Sequence, residues 1–448
     1  MTAFLYLLFF CALSLLAFAR LGARLDRMFA SPILAFLLGM AFVYGFMPWL
    51  KELQGLQTYP FHYAADAKLA ALLFSLVFAL AALAGYWACG GLARRTLPDI
   101  RCLTARERRR ALLLVGIPSL LALLYLARTV TGYDLADYMK DRIVIRRGMG
   151  PAVILSFAAI CYGAILVANL LTEHRLRLRP ARWRLLATAA TLLLIAAAFV
   201  AMGNRNFVFI LIAIVLLAAL SVRPGRLRGV LVLAPALLAV AVGFSAWAKV
   251  RTTLDSASSA AIAGENPVEL LVYGLNGAFG NAENLVWLAQ HEGDWKPLYG
   301  QTVYAALVNP VPRSLWPDKP FGGGPALRNM IYPGSYTLDG EKLTSYTTGL
   351  PAEGYMNFGV AGLLLFGAGN GACLALARNL YARRRLVTPL AVVIYSFSIF
   401  MFSFGFLYME LLGGWSRYFI TVLLLLGVAW LGDRSLGLGA AHAQTRRA

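Results

Sequence analysis

The chain has 448 residues, of which 60% are hydrophobic and only 14% are charged, and its formal net charge is +20. Soluble domains carry about 25% charged residues, so this composition excludes an ordinary soluble protein. Apolar runs close to 20 residues long recur along the chain, and a helix of about that length crosses the roughly 30 Å hydrocarbon core of a bilayer. The sequence therefore predicts an all-α polytopic integral membrane protein.

The apolar runs predict about eleven transmembrane helices. The first run has no basic residues ahead of it and no convincing cleavage site behind it, so we expect a retained helix rather than a signal peptide. The predicted spans are 2–19, 30–50, 69–90, 111–130, 151–171, 185–203, 207–222, 229–248, 359–377, 387–405 and 418–432.

The sixth and seventh spans are separated only by the polar sequence "GNRN" at 203–206. A single helix through both runs would be about 57 Å long, which is far more than a bilayer core requires. We therefore expect a tight turn here, which places Arg205 at a membrane surface.

The basic residues predict the orientation, because they remain preferentially in the cytoplasm. With the N-terminus outside, the inner segments hold 25 Lys and Arg against 5 Asp and Glu, and the outer segments hold the remaining 16 against 16. These inner segments are 20–29, 91–110, 172–184, 223–228, 378–386 and the tail from 433. We expect the C-terminus inside. The positive charge is scattered over short loops, so lipid contact explains it better than nucleic-acid binding.

One outer segment, 249–358, is much longer than the others, and we expect it to form a cap on the membrane domain. The domain organisation is then eight spans within 1–248, the cap, three spans within 359–432 and a tail at 433–448. Asn266 and Pro267 predict the start of a helix that ends near His291, and "GQTVYAALVN" predicts a second, shorter helix. No outer segment contains a cysteine, and the residues predict neither a metal site nor a cofactor.

Outward arginines at the ends of spans are the candidate binding residues. Charges at membrane depth tend to face a cavity, and an arginine fork matches phosphate oxygens in a bidentate way. The candidates for binding a diphosphate are Arg205, Arg251, Arg313 and Arg417; the alternative is that each contacts only the interface. For Arg142, Arg146 and Arg147 we favour interface or headgroup contact.

A diphosphate leaving group needs neutralising charge, and an attacking hydroxyl needs a base. Glu353, directly before the ninth span, is the candidate base, with Asp318, Asp339 and Glu410 as the next outer carboxylates. His291 is a rival, although its setting predicts a helix C-terminus.

Three segments together resemble the Wzy-type oligosaccharide repeat-unit polymerases, or O-antigen polymerases. They are "GNRN", "VPRSLWPDKP" and "AEGYMNFGVAGLLLFGAGNG", within roughly 200–375. Arg313 and Gly324 also fit the Arg-X10-Gly spacing associated with that family. The resemblance implies a GT-C-like all-helical fold, shared with O-antigen ligases and the cell-division type of peptidoglycan polymerase.

The resemblance implies a metal-independent glycosyltransferase in the bacterial inner membrane, with its active site facing the periplasm. It would polymerise undecaprenyl-diphosphate-linked repeat units into O-antigen or a related polysaccharide, without a cofactor and with a chain-length regulator as an expected partner. Arg205, Arg313 and Glu353 match family motifs, whereas Arg251 and Arg417 are assigned by position. Trp316, Tyr355 and Asn357 are candidates for sugar binding, and packing of the cap is the equal alternative.

Two other functions remain open. An O-antigen ligase uses the same donor but passes the glycan to lipid A–core, and it typically presents an outer-loop histidine in a setting that His291 lacks. A secondary transporter or lipid flippase predicts internal repeats and broken spans in matching halves, and the sequence shows neither.

Overall fold

The structure, a computed structural model, describes residues 1–21, 27–55, 61–91, 97–133, 138, 145, 149–222, 280–311, 313, 315–337 and 346–444. For residues 21, 205 and 431–444 the structure describes the backbone but not the side chains. The helices of the described part are α1 Thr2–Leu21, α2 Ile33–Gln54, α3 Ala65–Ala88, α4 Ala105–Gly132, α5 Gly150–Arg175, α6 Arg182–Ala201, α7 Arg205–Val222, α8 Ala282–Gln290, α9 Gln301–Leu307, α10 Gly323–Ile331, α11 Leu350–Ala382, α12 Pro389–Tyr408 and α13 Leu411–Gln444, and a single turn at Arg27–Ala30 precedes α2.

Within the described ranges, nine helices are long and apolar enough to cross a membrane, and α7 is a shorter apolar helix. These ten helices coincide with ten of the eleven predicted spans, so the prediction of an all-α polytopic membrane protein is confirmed. The eighth predicted span, 229–248, lies outside the described residues. The last helix begins at Leu411 and continues to Gln444, so it starts earlier and ends later than the predicted span 418–432.

Small residues bring α3 and α11 into close contact. A Cβ on Gly367 would lie 2.6 Å from the carbonyl oxygen of Phe78, and a Cβ on Gly371 or Gly85 would clash with backbone atoms of the opposite helix. Close backbone approach of this kind is how helices associate where lipid offers no hydrophobic driving force. Replacement of these glycines would push the two helices apart.

The predicted turn at "GNRN" is confirmed. Helix α6 ends at Ala201, Gly203 has a φ of 66°, and α7 begins at Arg205. The N–H of Asn204 donates to the carbonyl of Phe199 at 2.8 Å, which closes the end of α6 in the manner of a glycine C-cap. A left-handed glycine therefore reverses the chain between two apolar helices.

Segments that the sequence places on the same side of the membrane contact each other. Two-residue strands, β1 Asp99–Ile100 and β2 Leu386–Val387, pair in parallel and join two segments predicted to be inside. Glu173 accepts hydrogen bonds from Arg184 at 2.8 Å and Arg108 at 3.5 Å, and all three belong to predicted inner segments. At the other end of the bundle, the Arg417 side chain near the start of α13 lies over the ring of Phe207 near the start of α7. The sequence places the start of both helices at the outer surface.

The ninth predicted span has an unexpected start. The sequence places it at 359, whereas helical structure begins at Leu350 and breaks at Phe358 and Gly359 (φ −141° and 59°). The carbonyls of Met356 and Asn357 at the break accept hydrogen bonds from the N–H groups of Leu298 and Tyr299. Gly354 and Gly362 then touch each other, so 350–357 folds back against the span instead of extending it.

Helix α8 fastens the predicted cap to the bundle. Lys51, at the end of α2, forms a buried ion pair with Glu283. Asn284 donates to the carbonyls of Thr347 (2.8 Å) and Thr348 (3.1 Å), just ahead of α11. The predicted helix end near His291 is confirmed, and the short helix predicted from "GQTVYAALVN" at 300–309 is observed at Gln301–Leu307. Asn266 and Pro267 lie outside the described residues.

Candidate active site

The candidate site lies where α13 begins. Helix α12 ends at Tyr408, Met409 is extended, and Glu410 is the residue before the first turn of α13. The Glu410 carbonyl accepts a hydrogen bond from the N–H of Gly414 at 3.0 Å, so Glu410 is the N-cap of this helix. A carboxylate is favoured there by the partial positive charge of the helix N-terminus.

The glycine run "GGG" at 322–324 covers Glu410. The N–H of Gly324 donates to Glu410 Oε2 at 2.9 Å, and a Cβ on Gly322 would lie 3.1 Å from that same oxygen. A side chain at Gly322 would press on the carboxylate. The absence of side chains thus allows the backbone before α10 to rest directly on Glu410.

Glu353 lies behind the same run and is completely buried. Its Oε2 accepts hydrogen bonds from the N–H of Leu411 at 2.7 Å and from Thr348 Oγ1 at 3.0 Å. A Cβ on Gly323 would lie only 2.7 Å from Glu353 Cδ. Leu411 follows Glu410 in the chain, so the hydrogen bond from Leu411 to Glu353 fixes the backbone next to Glu410. The carboxylates of Glu353 and Glu410 are therefore neighbours.

Arg417 completes the site from the second turn of α13. Its guanidinium lies over the ring of Phe207, 5.1 Å from the centroid, and its Nε is buried without a hydrogen-bond partner in the described part of the chain. The Cβ position that Gly413 leaves empty is 3.5 Å from Glu410 Oε1 and 3.7 Å from Arg417 Nη1. Glu410 and Arg417 therefore border one space beside Gly413 without forming an ion pair.

Burial raises the pKa of the Glu410 carboxyl, and the Gly324 N–H and the Arg417 guanidinium offset part of that rise. A carboxylate with a raised pKa is a stronger base than a solvated one, so this arrangement suits proton abstraction near neutral pH. An adjacent guanidinium suits a group that gains negative charge. A base, Glu410, and a cation, Arg417, thus border the same small space.

Arg313 and Lys319 hold the proline-rich loop in shape. Arg313 donates to the carbonyls of Pro317 at 2.9 Å and Pro320 at 3.4 Å, and its guanidinium lies 5.2 Å from the ring centroid of Phe321. Lys319 is buried and donates to the carbonyl of Val311 at 2.9 Å; burial and the charge of Arg313 lower the pKa of its amine. Both side chains bind the loop itself, which favours a structural role for Arg313.

Of the three predicted sugar-binding residues, two are inside the protein. Asn357 is fully buried, donates to Thr302 Oγ1 and the Glu353 carbonyl, both at 2.7 Å, and accepts from Gly300. The buried Tyr355 packs on Phe74 (4.4 Å between centroids) and donates to Glu292 at 3.1 Å. These contacts favour the alternative role, packing of the cap.

Trp316 is partly exposed and contacts the exposed Tyr304 edge to face, 6.1 Å between centroids. The loop that carries it is tied to α13 by Asn309 Nδ2, which donates to Ser416 Oγ at 2.6 Å, one residue from Arg417. An open aromatic pair therefore lies on a loop that is fixed next to the candidate site.

The remaining predicted residues contribute less or lie outside the description. His291 stacks on Trp287 (4.5 Å) and its Nδ1 is 2.9 Å from the Trp287 carbonyl, so the ring is engaged within its own helix end. The side chain of Arg205 and all of Arg251, Arg142, Arg146 and Arg147 lie outside the described residues. No group of three or more His, Cys, Asp or Glu within the described ranges could hold a metal ion.

Comparisons with protein-family models, with curated proteins and with solved structures find no match to this chain. The functional interpretation therefore depends on the residues themselves. Sequence reasoning underrated Glu410, because a single carboxylate between two apolar runs resembles an ordinary loop residue. The signal that could have found it is "MELLGGWSR", in which a carboxylate, two glycines and an arginine share one helix start.

Proposed function

We propose that this chain is a metal-independent glycosyltransferase that polymerises undecaprenyl-diphosphate-linked oligosaccharide repeat units at the periplasmic face of a bacterial inner membrane. The motif resemblance to the O-antigen polymerases supports this assignment. The site where α13 begins supports it independently, because it combines a basic carboxylate with a guanidinium that forms no ion pair with a described residue. O-antigen or a related surface polysaccharide would be the product.

In the proposed reaction, a hydroxyl at the non-reducing end of the acceptor sugar attacks the anomeric carbon of the donor glycan. The new glycosidic C–O bond forms, and the bond between that carbon and the diphosphate oxygen breaks. Glu410 takes the hydroxyl proton, and undecaprenyl diphosphate leaves with the bonding electron pair. Arg417 neutralises the charge that develops on the diphosphate.

Glu353 acts as a positioning residue in this proposal. It is buried and holds the N–H of Leu411 at 2.7 Å, so it sets the place and direction of Glu410. The proton is assigned to Glu410 because Glu410 is of intermediate burial and borders the space beside Gly413, whereas Glu353 is completely buried.

Substrate contacts divide between polar and aromatic groups. Arg205 and Arg251 are proposed to share the diphosphate with Arg417, since the sequence places both at the same membrane surface. Trp316 and Tyr304 are proposed to form the sugar platform, because partly exposed aromatic rings stack on the apolar faces of sugars. Arg313 would act indirectly, by shaping the loop that carries this platform.

Glu410 and Arg417 carry this assignment. Two oppositely charged side chains that border one space without pairing are costly unless something else occupies that space. A sugar hydroxyl that donates to Glu410 and a diphosphate that accepts from Arg417 would together fit this space.

A deletion strain complemented with variants tests the assignment through the glycan ladder on gels. Loss of the chain should leave a single repeat unit on the carrier or core, and Glu410→Gln or Arg417→Ala should reproduce that pattern. Asp294→Asn, an exposed carboxylate outside the site, is the control and should restore the ladder. Long unattached chains would indicate a ligase, and the absence of any exported repeat unit would indicate a flippase.

A further inference from the structure

A separate cavity opens among the predicted inner segments, and its lining extends from Arg383 and Arg384 inward to Tyr418, the residue after Arg417. It has a volume of about 620 Å³ and is bordered by the end of α11, by α12 and by α13. Two arginines on its border, Arg383 and Arg384, are exposed, so the cavity reaches the protein surface. This size is within the range of about 300–1,000 Å³ that is typical of ligand sites.

The interior of this cavity is apolar. Leu380, Leu390, Ile394 and Leu426 are among its lining residues. The polar side chains that reach it are engaged inside the protein: Ser398 Oγ and Tyr418 OH lie 2.8 Å apart, and Tyr395 OH donates to the Phe29 carbonyl. An occupant therefore meets hydrocarbon and aromatic surface rather than free hydrogen-bonding groups.

The mouth of the cavity is assembled from two distant loops. The parallel pairing of β1 with β2 is extended by the N–H of Arg101, which donates to the Val387 carbonyl at 3.0 Å. Arg101 also donates to both oxygens of Glu107, at 2.8 and 2.6 Å, so these two charges neutralise each other. Arg383 and Arg384 form no ion pair with any described residue, so the mouth is positively charged.

We propose that this cavity binds an anionic phospholipid, with an acyl chain between α11, α12 and α13 and the phosphate at Arg383 and Arg384. Apolar walls beneath a positive mouth match an amphiphile with a negative head and an apolar tail. A soluble phosphate compound would gain nothing from the walls. The mouth also belongs to segments predicted to be cytoplasmic, and anionic lipids enrich the cytoplasmic leaflet.

Lipid retention tests the proposal. The protein is reconstituted in vesicles of equal parts phosphatidylglycerol and phosphatidylcholine, re-extracted in mild detergent, and analysed by mass spectrometry for lipid per protein. Arg383→Ala and Arg384→Ala should each lower retained phosphatidylglycerol by roughly fivefold, and the double variant should lower it further. Ala391→Phe, which fills the cavity, should lower the retention of both lipids.

Arg106→Ala with Arg109→Ala is the matched control, since both residues are exposed arginines of the same predicted side and neither lines the cavity. Retained phosphatidylglycerol should be unchanged in this double variant. Equal losses in the two double variants would show that only surface charge matters and would overturn the proposal. Unchanged retention in Ala391→Phe, or displacement of the lipid by soluble glycerol phosphate, would overturn it as well.

Discussion

The carboxyl group of Glu353 occupies the space into which a side chain at Gly323 would project. A Cβ on Gly323 would lie 2.7 Å from Glu353 Cδ and 2.8 Å from its Oε2, closer than real Cβ atoms approach. The glycine run therefore packs directly against the Glu353 carboxyl group, and a change in either one affects the other. The two residues are 30 positions apart in the sequence but form one packed unit.

This unit makes Gly323→Ala damaging in a specific way. The added methyl should displace Glu353 and cost about 1–3 kcal/mol of stability, as overpacking does. In a Glu353→Ala background the same substitution should cost much less, because the space has been vacated. A double-mutant cycle on thermal unfolding in detergent measures the coupling, which we expect to be about 1 kcal/mol or more.

Gly150→Ala is the matched control for that cycle. Gly150 is also the first residue of a helix, and nothing lies within 4 Å of its Cβ position. The packing of Gly323 against Glu353 would be contradicted if the stability losses of Gly323→Ala and Glu353→Ala were additive. It would also be contradicted if Gly150→Ala lowered the stability as much as Gly323→Ala.

Gly413→Ala should separate activity from stability. The new methyl would enter the space between Glu410 and Arg417 at ordinary contact distances of 3.5–3.7 Å. Alanine is favoured over glycine within a helix by about 0.5–1 kcal/mol, so the thermal unfolding temperature should hold or rise. Polymerisation should nevertheless fall, because the methyl occupies the substrate space.

Gly427→Ala, on the same helix with nothing within 4 Å of its Cβ position, should leave the polymerisation rate unchanged. A Gly413→Ala protein that polymerises like the wild type would show that the space is not used by substrate.

Arg313 and Arg417 should respond differently to removal. Arg313→Ala loses two hydrogen bonds to loop carbonyls and should lower stability by about 1–2 kcal/mol, with activity lost through the loop. Arg417→Ala breaks no ion pair with a described residue and loses only the contact with the Phe207 ring, so stability should fall less than in Arg313→Ala while donor binding falls sharply. Arg417→Lys should recover little, since lysine cannot make the bidentate contact. Unfolding temperature and donor affinity, measured together, give the comparison; a stable Arg313→Ala protein with weak donor binding would instead assign Arg313 to the diphosphate.

The orientation can be tested by reporter fusions. Fusions after Arg109, Arg184 and Arg384 should report the cytoplasm, because these positions belong to the segments with excess basic charge. A fusion at Pro333, close to α10, should report the periplasm. A cytoplasmic signal at Pro333 would place the candidate active site in the cytoplasm, where it could not use a lipid-linked donor on the periplasmic face.

The sequence predicts the spans well because each is a local feature. Length and hydropathy alone place a helix, and the need to fit 203–206 between two spans predicts the turn there. The break at Phe358–Gly359 was not predicted, because local hydropathy does not report that 350–357 folds back on the span. Its glycines are visible in the sequence, but the contact between Gly354 and Gly362 is tertiary.

The candidate site was predicted less completely than the fold for the same reason. Glu353 and Arg417 stand out from apolar neighbours, so the sequence marks both. The hydrogen bond from Gly324 to Glu410 joins residues 86 positions apart, and nothing local indicates it. The burial of Tyr355 and Asn357 also depends on distant partners, which is why packing and sugar binding could not be separated beforehand.

The acid limb of the pH profile should reflect Glu410. The base is active only when ionised, and burial raises the pKa of this carboxyl above its ordinary value. Activity should therefore fall on acidification at a higher pH than a solvated carboxylate would give. An acid limb at the ordinary carboxylic-acid pKa would indicate a solvated base elsewhere.

Turnover of synthetic undecaprenyl-diphosphate-linked repeat units by the purified protein in liposomes tests the central claim most directly. The wild type should yield products of two, three and more repeat units, with one undecaprenyl diphosphate released for each linkage. Glu410→Gln keeps size and hydrogen bonding but cannot accept the proton, so its rate per folded molecule should fall about a hundredfold or more while donor binding holds. A wild-type protein that extends no acceptor, or a Glu410→Gln protein that polymerises at the wild-type rate, would contradict the account.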